Sequence, residues 1–220
     1  MIRRITQSDF FQRKVHPVLT KMPGYDYYLL RRKSYLKEQG WFKSFKKNKS
    51  INALGKPVPW FTYCAVDFLK DRLPDRLAVF EYGCGFGTLW WAERSAKFFA
   101  VEHDEKWLAA ITRNSPPHVM IELRPLGPEY SGYIAETGTL FDVIIIDGKE
   151  RNSAVNISMQ YLTEEGIIIF DDSNMEIFSE GVQTLKNAGF RQLPFRGFSP
   201  IDFLPCETSV FYRSKNLLQI

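Results

Sequence analysis

The chain has 220 residues, 45% of them apolar and 15% aromatic, and a formal net charge of +4. That length suits one domain with an appendage and is enough for a full core. No apolar run reaches the roughly 20 residues of a membrane-spanning helix, and no uninterrupted apolar segment follows the N-terminal basic residues as a secretory signal would require. Cys64, Cys84 and Cys206 are odd in number and lack metal-ligand spacing, so the sequence predicts reduced thiols and a cytoplasmic protein.

The charge is unevenly spread. Residues 1–76 hold 17 Lys and Arg against 6 Asp and Glu, whereas residues 77–220 hold 12 against 19. A basic, aromatic-rich front of +11 thus precedes an acidic part of −7. Such a front suits a nucleic acid, an anionic lipid surface or an anionic substrate, or docks on its own acidic partner. In chain order, residues 25–42 predict an amphipathic helix after the Pro23-Gly24 break. Residues 43–49 read as a short, solvated basic loop. Residues 52–59 form a linker stiffened by Pro57 and Pro59. Residues 60–73 predict a helix that Pro74 stops.

The stretch 79–104 organises the rest. An apolar run ends in Glu81, glycines follow at Gly83, Gly85 and Gly87, a helix starts near Leu89, and a second apolar run ends in Glu102. This is strand, glycine turn, helix, strand, acid: the nucleotide-binding half of an α/β sheet. Glu102 is placed to accept the hydroxyls of a ribose. Further on come a helix over 105–114, a strand over 119–123, an apolar strand over 141–148 containing Asp147, and a helix over 152–162. A strand over 166–172 then contains Asp171 and Asp172, and a helix follows over 176–188. Two strand-like runs, 189–196 and 208–213, should pair antiparallel. The fold class is therefore α/β. The expected architecture is a doubly wound, mostly parallel seven-stranded sheet, closed by an antiparallel C-terminal hairpin and preceded by a helical basic extension.

Glu81-x-Gly83-x-Gly85-x-Gly87, with Glu102 downstream, resembles the cofactor motif of class I S-adenosylmethionine (SAM) methyltransferases. The phrases EYGCGFGTLWWA, AVEHDEKW, IIIDGKER and IIIFDDSN are similar to a bacterial group of these enzymes whose substrates are mostly unassigned. The resemblance covers residues 77–213. It implies SAM as cofactor, a SAM-binding domain over 77–220, and residues 1–76 as a substrate or lid region. It assigns SAM contacts to Glu81, Gly83, Gly85, Gly87, Thr88, Glu102, His103 and Asp147. Trp60 and Tyr63 are candidates from the preceding helix. The acid that many such enzymes carry after the third strand is missing, and backbone near Leu126 is expected to hold the adenine instead.

In a doubly wound fold the site lies beyond the carboxyl ends of the strands, where Asp147, Asp171 and Asp172 collect. Two readings stay open. In one, the three carboxylates bind Mg²⁺, as in the catechol and macrolide-sugar O-methyltransferases they resemble, with Lys149 as base. In the other there is no metal: Asp147 orients substrate or the SAM amino group, and Asp172 caps the next helix. The Asn-Pro-Pro-aromatic signature of amino-directed nucleic-acid methyltransferases is absent after the fourth strand. The expected reaction is O-methylation of a small molecule or glycan. An RNA or protein methyltransferase using the basic front is the first alternative, with nucleic acid not favoured, and a non-catalytic SAM-binding module is the second. The sequence does not specify an oligomeric state.

Overall fold

The computed structural model describes residues 8–220; the first seven residues of the basic front lie outside the described residues. Seven strands, β1 (Leu77–Tyr82), β2 (Ser95–Glu102), β3 (Val119–Leu123), β4 (Phe141–Ile146), β5 (Leu162–Asp171), β6 (Arg191–Gly197) and β7 (Cys206–Tyr212), form one sheet in the order β3-β2-β1-β4-β5-β7-β6. Every adjacent pair from β3 to β5 is parallel. β7 runs antiparallel to both β5 and β6, as the two C-terminal runs predict. The strand order reverses between β1 and β4, and the crevice of such a sheet opens at that reversal.

Side-chain parity builds two apolar layers. Val79, Val143, Ile145, Ile167, Ile169 and Val210 point to one face. Phe80, Tyr82, Ile144, Ile146, Ile168, Phe170 and Phe211 point to the other. Central parallel strands are covered on both faces, which is why β4 reads as a continuous apolar run. Truncating one of these fully buried isoleucines to alanine costs about 2–5 kcal/mol.

From residue 25 onward the α-helices are α1 (Tyr25–Lys33), α2 (Tyr35–Gln39), α3 (Trp41–Lys47), α4 (Tyr63–Arg72), α5 (Phe86–Ala92), α6 (Glu105–Thr112), α7 (Pro128–Glu136), α8 (Arg151–Ser158) and α9 (Ser179–Asn187). The single helix expected over 25–42 is broken twice. Ser34 turns extended and caps α2 by accepting from Lys37 N. Gly40 takes φ +91° with its α-carbon packed against Asn52 and Ala53, leaving no room for a side chain. The basic run 43–49, read as a loop, is mostly helical and forms the end of α3. α7 was not foreseen; Pro128 stands at its start. α4 begins three residues later than predicted, because Thr62 N donates to the Thr208 hydroxyl and Tyr63 N to Phe198 O. Those bonds tie the chain before α4 to the C-terminal hairpin. Ala65, Val66 and Leu69 of α4 belong to the same apolar layer as Val79 and Ile145.

Candidate active site

A cavity of about 1040 Å³ opens beyond the carboxyl ends of β1, β2, β4 and β5. One corner is built by the glycine turn. Gly83 has φ +85°, and a β-carbon there would stand 3.0 Å from Asp147 O and from Gly148 Cα. Only glycine satisfies both the left-handed backbone and that close approach. Glu81, 4% exposed, accepts from the Thr88 hydroxyl, which in turn accepts from Gly85 N at 2.9 Å. Burial pushes the Glu81 carboxyl well above the usual carboxylate range, and the Thr88 hydrogen bond only partly offsets this.

Glu102 is the fixed point of this corner. Its Oε1 accepts from His103 N at 2.7 Å and Asp104 N at 2.9 Å, and lies 2.8 Å from His103 Nδ1. Its Oε2 accepts from Cys84 N at 3.0 Å. A carboxylate offers about four acceptor positions, so Oε2 keeps capacity toward the cavity, which Glu102 lines. His103, Asp104 and Trp107 line the same end. Trp107 Nε1 donates to Cys84 O, which holds its ring against the turn.

The second corner gathers Asp147, Asp171 and Asp172 at the ends of β4 and β5, and a fourth residue stands among them. Arg151, at the start of α8, has only 10% of its side chain exposed. Its guanidinium donates from Nε to Gly148 O at 3.0 Å and from one terminal nitrogen to Asp171 O. That same nitrogen is 3.0 Å from Asp172 Oδ2, and the other reaches Asp147 Oδ1 at 3.1 Å. The Phe178 ring lies 4.5 Å from the guanidinium carbon. Burial pushes Asp147 up to about 6; Arg151 opposes this, and Asp172 and Glu102 add to it. Asp171 is raised well above its ordinary range, first by burial, and its Oδ1 accepts from the Thr208 hydroxyl at 2.5 Å.

This arrangement corrects the magnesium expectation at Asp147, Asp171 and Asp172. Among the described residues no group of three or more acidic, histidine or cysteine side chains is arranged to hold a metal ion. Physically, a guanidinium stands between Asp147 and Asp172, and Asp171 is committed to Thr208. The alternative role of Asp172 as a helix cap is also not met. Its side chain pairs with Arg151, and α9 starts only at Ser179.

The roof comes from distant segments. Trp60 Nε1 donates to Asp202 Oδ2 at 2.6 Å, and Trp41 Nε1 to Asp202 O at 2.7 Å. Asn48, Lys49, Trp60, Ile201, Asp202, Leu204 and Pro205 line the cavity beneath. Of the residues singled out from sequence, Glu81, Gly83, Gly85, Gly87, Glu102, His103, Asp147, Lys149, Asp171, Asp172 and Trp60 line this one cavity. Thr88 sits behind Glu81, fully buried. Tyr63 is buried edge-on against Tyr35 rather than in the cavity, and Leu126 is exposed outside it. Neither side chain lines this cavity: Tyr63 N donates to Phe198 O, and the loop after β3 is tied by Gly127 N to Glu150. Arg151, Trp107 and Asp202 were not foreseen as site residues. For Arg151 the signal was its spacing of four residues from Asp147.

No protein-family model matches the chain, and no curated protein matches it in sequence. Solved structures do. Precorrin-6y C5,15-methyltransferase from Geobacter metallireducens is 18% identical with a TM-score of 0.54, over 68% of this chain and 87% of that one. An rRNA methylase from Streptococcus thermophilus is 15% identical with a TM-score of 0.50, over 69% and 95%. A Streptococcus mutans protein in complex with S-adenosylhomocysteine (SAH) is 12% identical with a TM-score of 0.50, over 66% and 94%. At these identities the likeness is one of fold: a seven-stranded, Rossmann-like class I methyltransferase sheet.

Proposed function

We propose that the chain is a SAM-dependent methyltransferase acting on an oxygen of a small molecule or glycan. The observation that carries the reading is Glu102: an acid at the end of β2, fixed by three backbone N–H groups, with acceptor capacity turned into the cavity beside a glycine turn. A carboxylate acceptor held in this way suits the hydroxyls of a ribose. Gly83 and Gly85 leave the approach to the turn free of side chains, and His103 and Trp107 offer flat rings at the same end for an adenine. When bound, SAM supplies an electrophilic methyl group.

The chain's own residues supply the rest. Asp147 lines the cavity from the acid corner, where it can accept a proton from an acceptor hydroxyl. A base held near 6 is ionised at neutral pH yet retains useful basicity, so turnover should rise with pH through that value. Trp60, Leu204 and Pro205 form an apolar wall, and Lys149 stands exposed at the edge. We assign Lys149 to acceptor recognition at the rim. The roof joining residues 41–60 to 198–205 excludes water from the transfer and shapes the acceptor space.

The test uses SAM carrying a labelled methyl group, incubated with separated small-molecule, glycan, RNA and protein fractions. The reading expects label in a small-molecule or glycan fraction, lost in Asp147→Asn. Label entering RNA alone would replace the acceptor assignment. Failure to bind SAM or SAH would remove the reading altogether.

A further inference from the structure

We propose that Arg151 is the positioning residue of this site. Its guanidinium does within the chain what a divalent cation does for similar carboxylates in other active sites, joining the ends of β4 and β5 and aiming Asp147 at the cavity.

Four observations carry this. First, all three guanidinium nitrogens are engaged, on Gly148 O, Asp171 O, Asp147 Oδ1 and Asp172 Oδ2. The planar fork thus bridges two strands that are hydrogen-bonded neighbours in the sheet. Second, Arg151 opens α8, where the helix dipole disfavours a cation. Nothing in helix formation explains an arginine there, whereas the carboxylates do. Third, Asp172 has φ +53°, a left-handed backbone that costs free energy in a non-glycine residue. Its carboxylate reaches the guanidinium from that conformation, so the ion pair and the strained backbone occur together. Fourth, the Phe178 ring closes one face of the guanidinium at 4.5 Å, which leaves the fork little freedom to swing out.

The charges explain what the device is for. Asp147, Asp171 and Asp172 converge at one partly buried corner, and like charges there disfavour ionisation. The Arg151 guanidinium places a positive charge between Asp147 and Asp172. Mg²⁺ would need carboxylate oxygens at about 2.0–2.1 Å; the guanidinium nitrogens occupy that space. Removing the guanidinium without replacing its charge therefore leaves a carboxylate corner that attracts a metal. A residue serving only to pack α8 would leave no such affinity behind.

The inference rests on the methyl-transfer reading for the meaning of the site, but its test is read separately. Wild type, Asp147→Asn, Arg151→Met, Arg151→Lys and Arg151→Met/Asp147→Asn are titrated with MnCl₂, with free Mn²⁺ followed by electron paramagnetic resonance. SAH binding is measured on each by calorimetry. Arg151→Met should bind Mn²⁺ at least about tenfold more tightly than wild type, because it presents all three carboxylates without the guanidinium. The double variant should lose that gain. Arg151→Lys keeps the charge, so it should gain no Mn²⁺ affinity, while its point charge cannot reproduce the fork. Wild-type binding of one Mn²⁺ that Asp147→Asn abolishes would overturn the proposal, whatever the folding of the variants. So would a folded Arg151→Met that binds Mn²⁺ no better than wild type. If Arg151→Met does not fold, the same titration of Arg151→Gln, which keeps some hydrogen bonds without the charge, takes its place. Loss of SAH binding by wild type would sink the methyl-transfer reading and leave the Mn²⁺ outcome standing.

Discussion

The two corners of the cavity are built in opposite ways. The glycine corner is local: Glu81 meets Thr88, Glu102 meets Cys84, His103 and Asp104, and Trp107 meets Cys84, all within residues 81–107. The acid corner is assembled from distant segments: Arg151 meets Asp171, Thr208 meets Asp171, and Trp60 reaches Asp202 above them. The first corner is a motif whose geometry follows from one strand–turn–helix–strand unit. The second depends on the sheet being complete, including the antiparallel hairpin. A ligand recognised by the first can be shared across many proteins, whereas the acceptor side is free to differ between them.

Perturbations should separate the corners. The largest effect is expected from Glu102→Ala, which should weaken SAH about 100-fold by removing charged hydrogen bonds at the local corner; calorimetry reads it, and unchanged affinity would remove Glu102 from the cofactor role. Gly83→Ala should destabilise the fold by about 2 kcal/mol, because φ +85° and the approach to β4 both exclude a β-carbon. Urea unfolding checks it, and a neutral substitution would show that the turn is not held where the structure places it. Asp202→Ala should cost about 1 kcal/mol, through its bonds from Trp60 and Ser199. It should raise hydrogen exchange over 198–205 while leaving SAH affinity nearly unchanged. Comparable losses in both would mean the corners are not independent.

A further effect is a slope. Asp147 is held at about 6 in the folded chain, above its unfolded value of about 3.9, so the folded state binds the extra proton. Its contribution to stability is fully present below the unfolded value and is lost as pH rises toward 6. Asp147→Asn should flatten the fall in unfolding free energy over that window. A steeper fall in the variant would contradict the assignment of the proton to Asp147.

This contrast also explains what the sequence made legible. Strand parity, glycine spacing and the acid at the end of β2 are short-range signals, and they carried the sheet, its order of elements and the first corner. Gly40 and Ser34 broke the expected N-terminal helix because their conformations answer to residues 52–53 and to a cap rather than to periodicity. α7 went unseen between a proline-rich loop and a strong strand. Asp147, Asp171 and Asp172 were visible as acids, but their partners were not. An arginine four residues after Asp147 looks like any helix-face charge until β5 brings Asp172 to its other side. Tyr63 is a candidate SAM contact because its helix leads into β1, yet its ring is buried against Tyr35 and its amide is bonded to the distant hairpin segment at Phe198.

The central claim is that the local corner binds an adenosyl cofactor through Glu102. The most direct measurement is calorimetry of the wild-type protein with SAH and with NAD, repeated on Glu102→Ala. The account predicts one equivalent of SAH bound by wild type, a large loss in the variant, and no comparable binding of NAD. Tight binding of NAD without SAH, or SAH binding indifferent to Glu102, would contradict it.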